Sequence, residues 1–136
     1  MSVSSSCPCG SGSTLAECCG PLHGGIPAAT AEALMRARYS AYALDREDYV
    51  LATWHPSTRP TTLDMNPKMK WIGLNVKAYR MLDADHALVE FVARCKIGGR
   101  AHRMHERSRF VRENGQWFYV RADDDVEKGA DNEHLG

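Results

Sequence analysis

No run in this 136-residue chain stays apolar for the roughly 18 positions that a membrane-spanning helix requires. The opening MSVSSSCPCG lacks the basic patch and apolar stretch of a secretory leader. The expected location is therefore cytoplasmic, with no membrane partner. Phosphate-loop chemistry is missing as well: the GSGS of residues 10–13 follows no strand-like segment and precedes no lysine. Neither a Gly-x-Ser-x-Gly nucleophile elbow nor a His-Glu-x-x-His helix occurs. With no catalytic constellation of a known kind, the chain reads as a binding protein rather than an enzyme. Residues 1–29 hold no lysine or arginine, and beyond residue 19 the only cysteine is Cys95. The C-terminal stretch DDDVEKGADNEHLG, residues 123–136, has no cysteine and no apolar periodicity. Its six acids against one base predict a solvated, disordered acidic tail.

What is present is concentrated. Four of the five cysteines fall in CPCGSGSTLAECCG, residues 7–20, two of them adjacent. A disulfide framework suits secreted proteins, and vicinal cysteines bridge poorly. Iron–sulfur clusters take four thiolates but favour two to four residues between ligands. A tetrahedral Zn²⁺ site needs four donors at about 2.3 Å without one fixed spacing, so one structural zinc on Cys7, Cys9, Cys18 and Cys19 is the expectation. Gly10 and Gly12 let the chain turn tightly enough for amide N–H groups to face sulfur. Buried free thiols are the bland alternative, and His23 is a substitute fourth ligand should Cys19 not serve.

C-P-C-G-S-G, with C-C-G following eight residues after the second cysteine, closely resembles the SEC-C motif, a short zinc-binding module of the preprotein-translocation ATPase and many other bacterial proteins. That form commonly ends in a histidine ligand, where this chain has Cys19. Such modules often carry several lysines between the cysteine pairs. Here the interval reads STLAE, which removes the charge that RNA or lipid-headgroup contacts would use.

After a Gly- and Pro-rich loop the pattern becomes helical. Residues 30–44 are rich in helix formers, with Thr30 as N-cap, Glu32 in the first turn, and Leu34, Ala37, Ala41 and Leu44 as an apolar stripe. A second helix is predicted from Glu47 to Trp54, ended by His55-Pro56. Residues 57–70 read as a loop. WIGLNVKAYRM then alternates, with Ile72, Leu74, Val76 and Ala78 on one face. ALVEFVARCKI places Ala87, Val89, Phe91, Ala93, Cys95 and Ile97 together. Gly98-Gly99 and Asn114-Gly115 are hairpin signals before AHRMHERSRFVR and QWFYVRA. Two helices followed by a four-strand antiparallel meander is an α+β layout.

MRARYSAY, YVLATWHPSTRP, W-I-G-L, V-E-F-V-A, H-E-R-S-R-F and G-Q-W-F-Y-V, joined to the N-terminal motif, closely resemble the bacterial YchJ-like family. The resemblance implies a nuclear-transport-factor-2-like (cystatin-like) cone in which helices cover the concave face of a curved sheet. It implies three parts: a zinc knuckle and linker (1–26), the α+β body (27–122) and the tail (123–136). It assigns no activity. If the cone holds a pocket, Glu106 and Ser108 are the polar groups expected to face it from the third strand, with Arg36, Arg38, Tyr39 and His55 from the covering segments. Two roles compete for Glu106: general base in a small-molecule pocket, or half of a Glu–Arg pair locking helix to sheet. A protein partner is expected, and homodimerisation through the sheet is a further option. Residues 94–112 carry seven Arg or Lys against one acid. Arg103, Arg107 and Arg109 share a strand face, a ridge that RNA phosphates or an acidic protein could meet.

Overall fold

The computed structural model of the chain describes residues 6–63 and 68–122. The expected acidic tail, 123–136, and part of the 57–70 loop lie outside the described residues. The N-terminal segment forms an antiparallel bridge, Ser6 with Thr14, and then a 3-10 turn over Leu15–Glu17. The Thr14 hydroxyl caps that turn by accepting from the Glu17 amide at 3.3 Å. A five-residue helix follows, α1 (Cys19–His23).

Helix α2 (Ala31–Ala43) starts where its sequence signals place it, with the Thr30 hydroxyl accepting from the Ala33 amide at 3.0 Å. It ends at Asp45, whose φ of 59° is the left-handed conformation that stops a helix. Two of the expected stripe residues part company: Leu34 is buried but Leu44, past the helix end, is exposed. Helix α3 (Glu47–Ala52) is shorter than the Glu47–Trp54 expectation. The Thr53 hydroxyl donates back to the carbonyls of Tyr49 and Val50, closing the last turn. Trp54 then leaves to form a parallel bridge with Tyr119, reinforced by His55 N–H to the Tyr119 carbonyl at 2.7 Å and Tyr119 N–H to the Thr53 carbonyl at 2.9 Å.

The meander is β1 (Met69–Asp83), β2 (His86–Ile97), β3 (Arg100–Glu113) and β4 (Gln116–Ala122), in sheet order β1-β2-β3-β4, all antiparallel. Both glycines of Gly98-Gly99, and Asn114 with Gly115, have positive φ, the backbone twist a two-residue hairpin requires. Strand β1 carries three irregularities against β2, at Trp71/Gly73, Val76/Ala78 and Met81/Asp83. They break strict alternation: Trp71, Leu74 and Val76 pack on the core, whereas Ile72 and Ala78 are exposed, against the expected Ile72–Ala78 face. Strand β2 follows its pattern, with Ala87, Val89, Phe91, Ala93 and Cys95 buried; only Ile97, at the strand end, is half-buried. Leu34, Ala37, Val89, Phe91, Phe110 and Trp117 anchor one core between helices and sheet.

A cysteine knuckle and a cavity on two faces of one helix

The four N-terminal sulfurs converge. The Sγ atoms of Cys7, Cys9, Cys18 and Cys19 all lie within 4.8 Å of one another, with Cys7, Cys9 and Cys19 buried. Cys9 and Cys18 Sγ are 3.6 Å apart, and Cys18 and Cys19 Sγ are 3.9 Å apart. A tetrahedron with metal–sulfur bonds of about 2.3 Å has edges of about 3.8 Å, so the cluster is compatible with metal binding. None is joined in a disulfide. Gly10 and Gly12 adopt φ of 79° and 93°, as the turn between the two cysteine pairs demands. At Gly20 the reason is space: a Cβ there would stand 2.7 Å from the Leu15 carbonyl oxygen. Hydrogen bonds from the neighbouring Cys19 thiol and from Ser11 hold the Cys9 thiol well below its ordinary range. Cys19 is pushed up as the donor in that same pair, and burial pushes up Cys18.

Helix α2 holds this knuckle by one face. The Ser40 hydroxyl, fully buried, touches Cys7 Sγ at 3.4 Å and donates to Cys19 Sγ at 3.3 Å. One turn earlier Arg36 donates to the Cys9 carbonyl at 3.1 Å and to Glu32 at 3.2 Å. His23 Nε2 meets the Ala37 carbonyl at 2.8 Å, and its ring packs on Tyr49. Arg36 is thus a clamp on the knuckle, not a lining residue of the sheet cavity. His23 serves as a second clamp, while Cys19 completes the sulfur cluster.

A second face of α2 borders a cavity of about 260 Å³ against the sheet. At about 100° per residue, Arg38 stands roughly half a turn away from Arg36 and Ser40, and Met35, Tyr39 and Tyr42 lie about 60–160° round the helix from them. From the sheet come Trp71, Phe91, Met104, Glu106, Ser108, Phe110 and Tyr119, and from the segment after α3 comes Trp54. Arg38, Tyr39, Glu106 and Ser108 are therefore brought together as expected. His55 is not: its Nε2 meets Glu113 at 2.9 Å and its Nδ1 meets the Ser57 hydroxyl at 2.8 Å, because pairing of His55 N–H with β4 turns it to the outside.

The expected Glu–Arg pair is absent. Glu106 accepts from the Ser108 hydroxyl at 2.7 Å and from the Tyr119 hydroxyl at 3.4 Å. Arg38, only 5% exposed, donates from one terminal nitrogen to the Val50 carbonyl at 2.8 Å and to the Thr53 hydroxyl at 2.9 Å. Its guanidinium lies over the rings of Tyr119 and Trp54, 4.4 and 5.1 Å from their centroids. It makes no ion pair with any described residue. Burying a guanidinium costs several kcal/mol. Cation–π contacts of about 2 kcal/mol each offset part of that and neutralise none of the charge. Burial pulls Arg38 below its ordinary range and pushes the Tyr39 phenol up to about 12, with Tyr42 and Tyr119 also raised. Sequence reasoning missed Tyr42, Trp54 and Tyr119 as walls, Thr53 as the anchor of Arg38, and Ser40 as the contact of the sulfurs.

The basic strand is not a bare ridge. Arg107 and Arg109 are half-buried, and Glu90 sits among the cations, 2.6 Å from His105. Arg112 is engaged by Asp85 and stacks on Trp117. Cys95 is buried, and burial raises its thiol, the state of an inert core cysteine.

Comparison with known proteins places this geometry in a family. Residues 30–122 match the profile described as the YchJ middle NTF2-like domain, and residues 4–21 match the SEC-C motif. A UPF0225 protein of Polaromonas naphthalenivorans is 64% identical over 107 residues, covering 78% of this chain and 79% of its own. A UPF0225 protein of Chromobacterium violaceum is 61% identical over 122 residues, covering 84% and 89%. Among solved structures, the solution structure of a SEC-C motif containing protein from Rhodopseudomonas palustris superposes with a TM-score of 0.77 at 37% identity, covering 86% of this chain and 96% of that one. The crystal structure of a SEC-C motif containing protein from Psychrobacter arcticus gives 0.72 at 32% identity, covering 89% and 82%.

Proposed function

The chain belongs to the YchJ-like (UPF0225) family, which joins a SEC-C motif to an NTF2-like domain, and from that premise we propose that it is a non-enzymatic binding protein. In this reading its cysteines hold one structural zinc and its sheet cavity receives a small molecule. The observation that carries the reading is the division of labour on α2, with four clustered sulfurs behind one face and an aromatic cavity before the other. When bound, zinc supplies a fold-stabilising cross-link; four thiolates fill its tetrahedral shell and leave no position for substrate. Cys7, Cys9, Cys18 and Cys19 hold the ion, and Ser40 orients two of their sulfurs. The cavity has one carboxylate, Glu106, and that group is engaged by Ser108 and Tyr119, an arrangement that suits recognition of a ligand. Small-molecule binding is put ahead of the protein partner expected from the sequence, because a buried cation lines the cavity.

The test is metal analysis of purified protein with thermal unfolding. One zinc per chain is expected, with a lowered melting temperature on chelation and loss of the metal in Cys7→Ser. A chain that carries no metal and unfolds at the same temperature as Cys7→Ser would overturn the structural-zinc reading.

A further inference from the structure

The cavity itself specifies what enters it. Its volume of about 260 Å³ lies just below the range of drug-sized pockets, which sets the guest as a small, single-ring molecule. Seven of its lining residues are aromatic and two are methionine, so most of the guest is apolar and flat enough to lie between rings. Besides the hydroxyl and N–H groups of its Tyr and Trp rings, charged groups stand at two places. At one, Arg38 is held by the Val50 carbonyl and the Thr53 hydroxyl, 4.4 and 5.1 Å from the ring centroids of Tyr119 and Trp54, with no described carboxylate in contact. At the other, Glu106 accepts from Ser108 and Tyr119 and can accept again, since a carboxylate offers about four lone-pair sites.

We propose that this cavity is a binding site for a small aromatic carboxylic acid, its carboxylate on Arg38 and a hydroxyl at the far end of its ring donating to Glu106. Arginine presents paired donors to a carboxylate and needs one in so dry a place. A neutral guest leaves that cation without a counter-charge, and a guest without a ring hydroxyl leaves the remaining acceptor sites of Glu106 unused. The two groups together therefore select a hydroxyaryl acid over either simpler molecule. The inference rests on the small-molecule half of the function proposed above and is independent of whether the cysteines carry zinc.

The protein reports on itself, because Trp54 and Trp71 line the cavity and Trp117 does not. Full-length, metal-replete protein would be titrated with 4-hydroxyphenylacetate while the three indole N–H resonances are followed by NMR. The expected result is saturable movement of the Trp54 and Trp71 signals with Trp117 still. 4-Hydroxyphenylacetamide, the neutral isostere, should bind at least ten-fold more weakly, and phenylacetate several-fold more weakly. Arg38→Met should abolish the preference for acid over amide, and Glu106→Gln should abolish the preference for the ring hydroxyl. Equal binding of acid and amide to the native protein, no binding of any of the three at millimolar concentration, or movement confined to Trp117 would overturn the proposal. The acid-against-amide comparison uses only native protein, so it decides the question even if Arg38→Met fails to fold. Acid binding by protein found to lack metal would discard the structural zinc and keep this site, while zinc without acid binding would do the reverse.

Discussion

Arg38 and Glu106 line one cavity and make no ion pair. Tyr119 stands between them, its ring under the guanidinium and its hydroxyl on the carboxylate. A lock between helix and sheet would have brought the two charges into contact. Instead the sheet residue is satisfied by its neighbours and the helix residue is left with stacking and two neutral acceptors.

That separation has a consequence for stability. Arg38→Ala should cost about 2–4 kcal/mol, since it opens space among buried aromatics. Arg38→Met should recover most of that loss, because it refills the space and removes a buried charge that lacks a counter-ion. Urea unfolding of the two variants checks this. A Met variant as unstable as the Ala variant would mean that the charge itself supports the fold.

Ser40 is the contact of the sulfurs on α2. Ser40→Ala should leave the fold intact, cost about 1 kcal/mol, and weaken zinc retention by about 10- to 100-fold. Competition with a chromogenic chelator measures that affinity; an unchanged value would reduce Ser40 to packing.

Gly20 has no room for a side chain, with the Leu15 carbonyl 2.7 Å from where a Cβ would stand. Gly20→Ala should cost about 1–3 kcal/mol and displace the adjacent Cys18–Cys19 pair, so metal loss should accompany the fall in melting temperature. Gly12→Ala makes a useful comparison, because it meets no neighbour and is strained only through its φ of 93°.

The buried phenols set an alkaline limit. Burial pushes Tyr39 and Tyr49 up to about 12 from an ordinary 10.0, so the folded chain keeps protons that the unfolded chain has already released. Their contribution is complete below pH 10 and is lost as the pH rises toward 12. Urea midpoints measured from pH 9 to 12 should fall through that window, less steeply in Tyr39→Phe and Tyr49→Phe. A flat profile in the native protein would contradict this.

His55 points away from the cavity, so His55→Ala should leave binding of 4-hydroxyphenylacetate unchanged. Its exposed pairing with Glu113 implies a stability loss below about 1 kcal/mol. Weakened binding in this variant would return His55 to the site.

How much could be read beforehand follows from the range of the forces involved. The knuckle, the capped start of α2, the hairpins at Gly98-Gly99 and Asn114-Gly115, and the inward alternation of β2 depend on neighbours within a few positions. Chain chemistry alone therefore determined them. The face assignment of β1 failed at Ile72 because a bulge is a property of the pairing with β2, and nothing in WIGLNV marks it. The site divided in the same way. The clustering of Cys7, Cys9, Cys18 and Cys19 was legible because thiols gathered from one short segment have to show in its spacing. Arg38, Tyr39, Glu106 and Ser108 were legible as lining residues from their places on α2 and β3. Tertiary structure alone decided that Arg36 clamps the knuckle, that Ser40 reaches the sulfurs, that Trp54 bridges to Tyr119 and that His55 turns outward. It alone decided, too, that Arg38 and Glu106 stand apart, since the distance between residues 68 positions apart in the chain is set by packing around Tyr119 and not by any local preference of either.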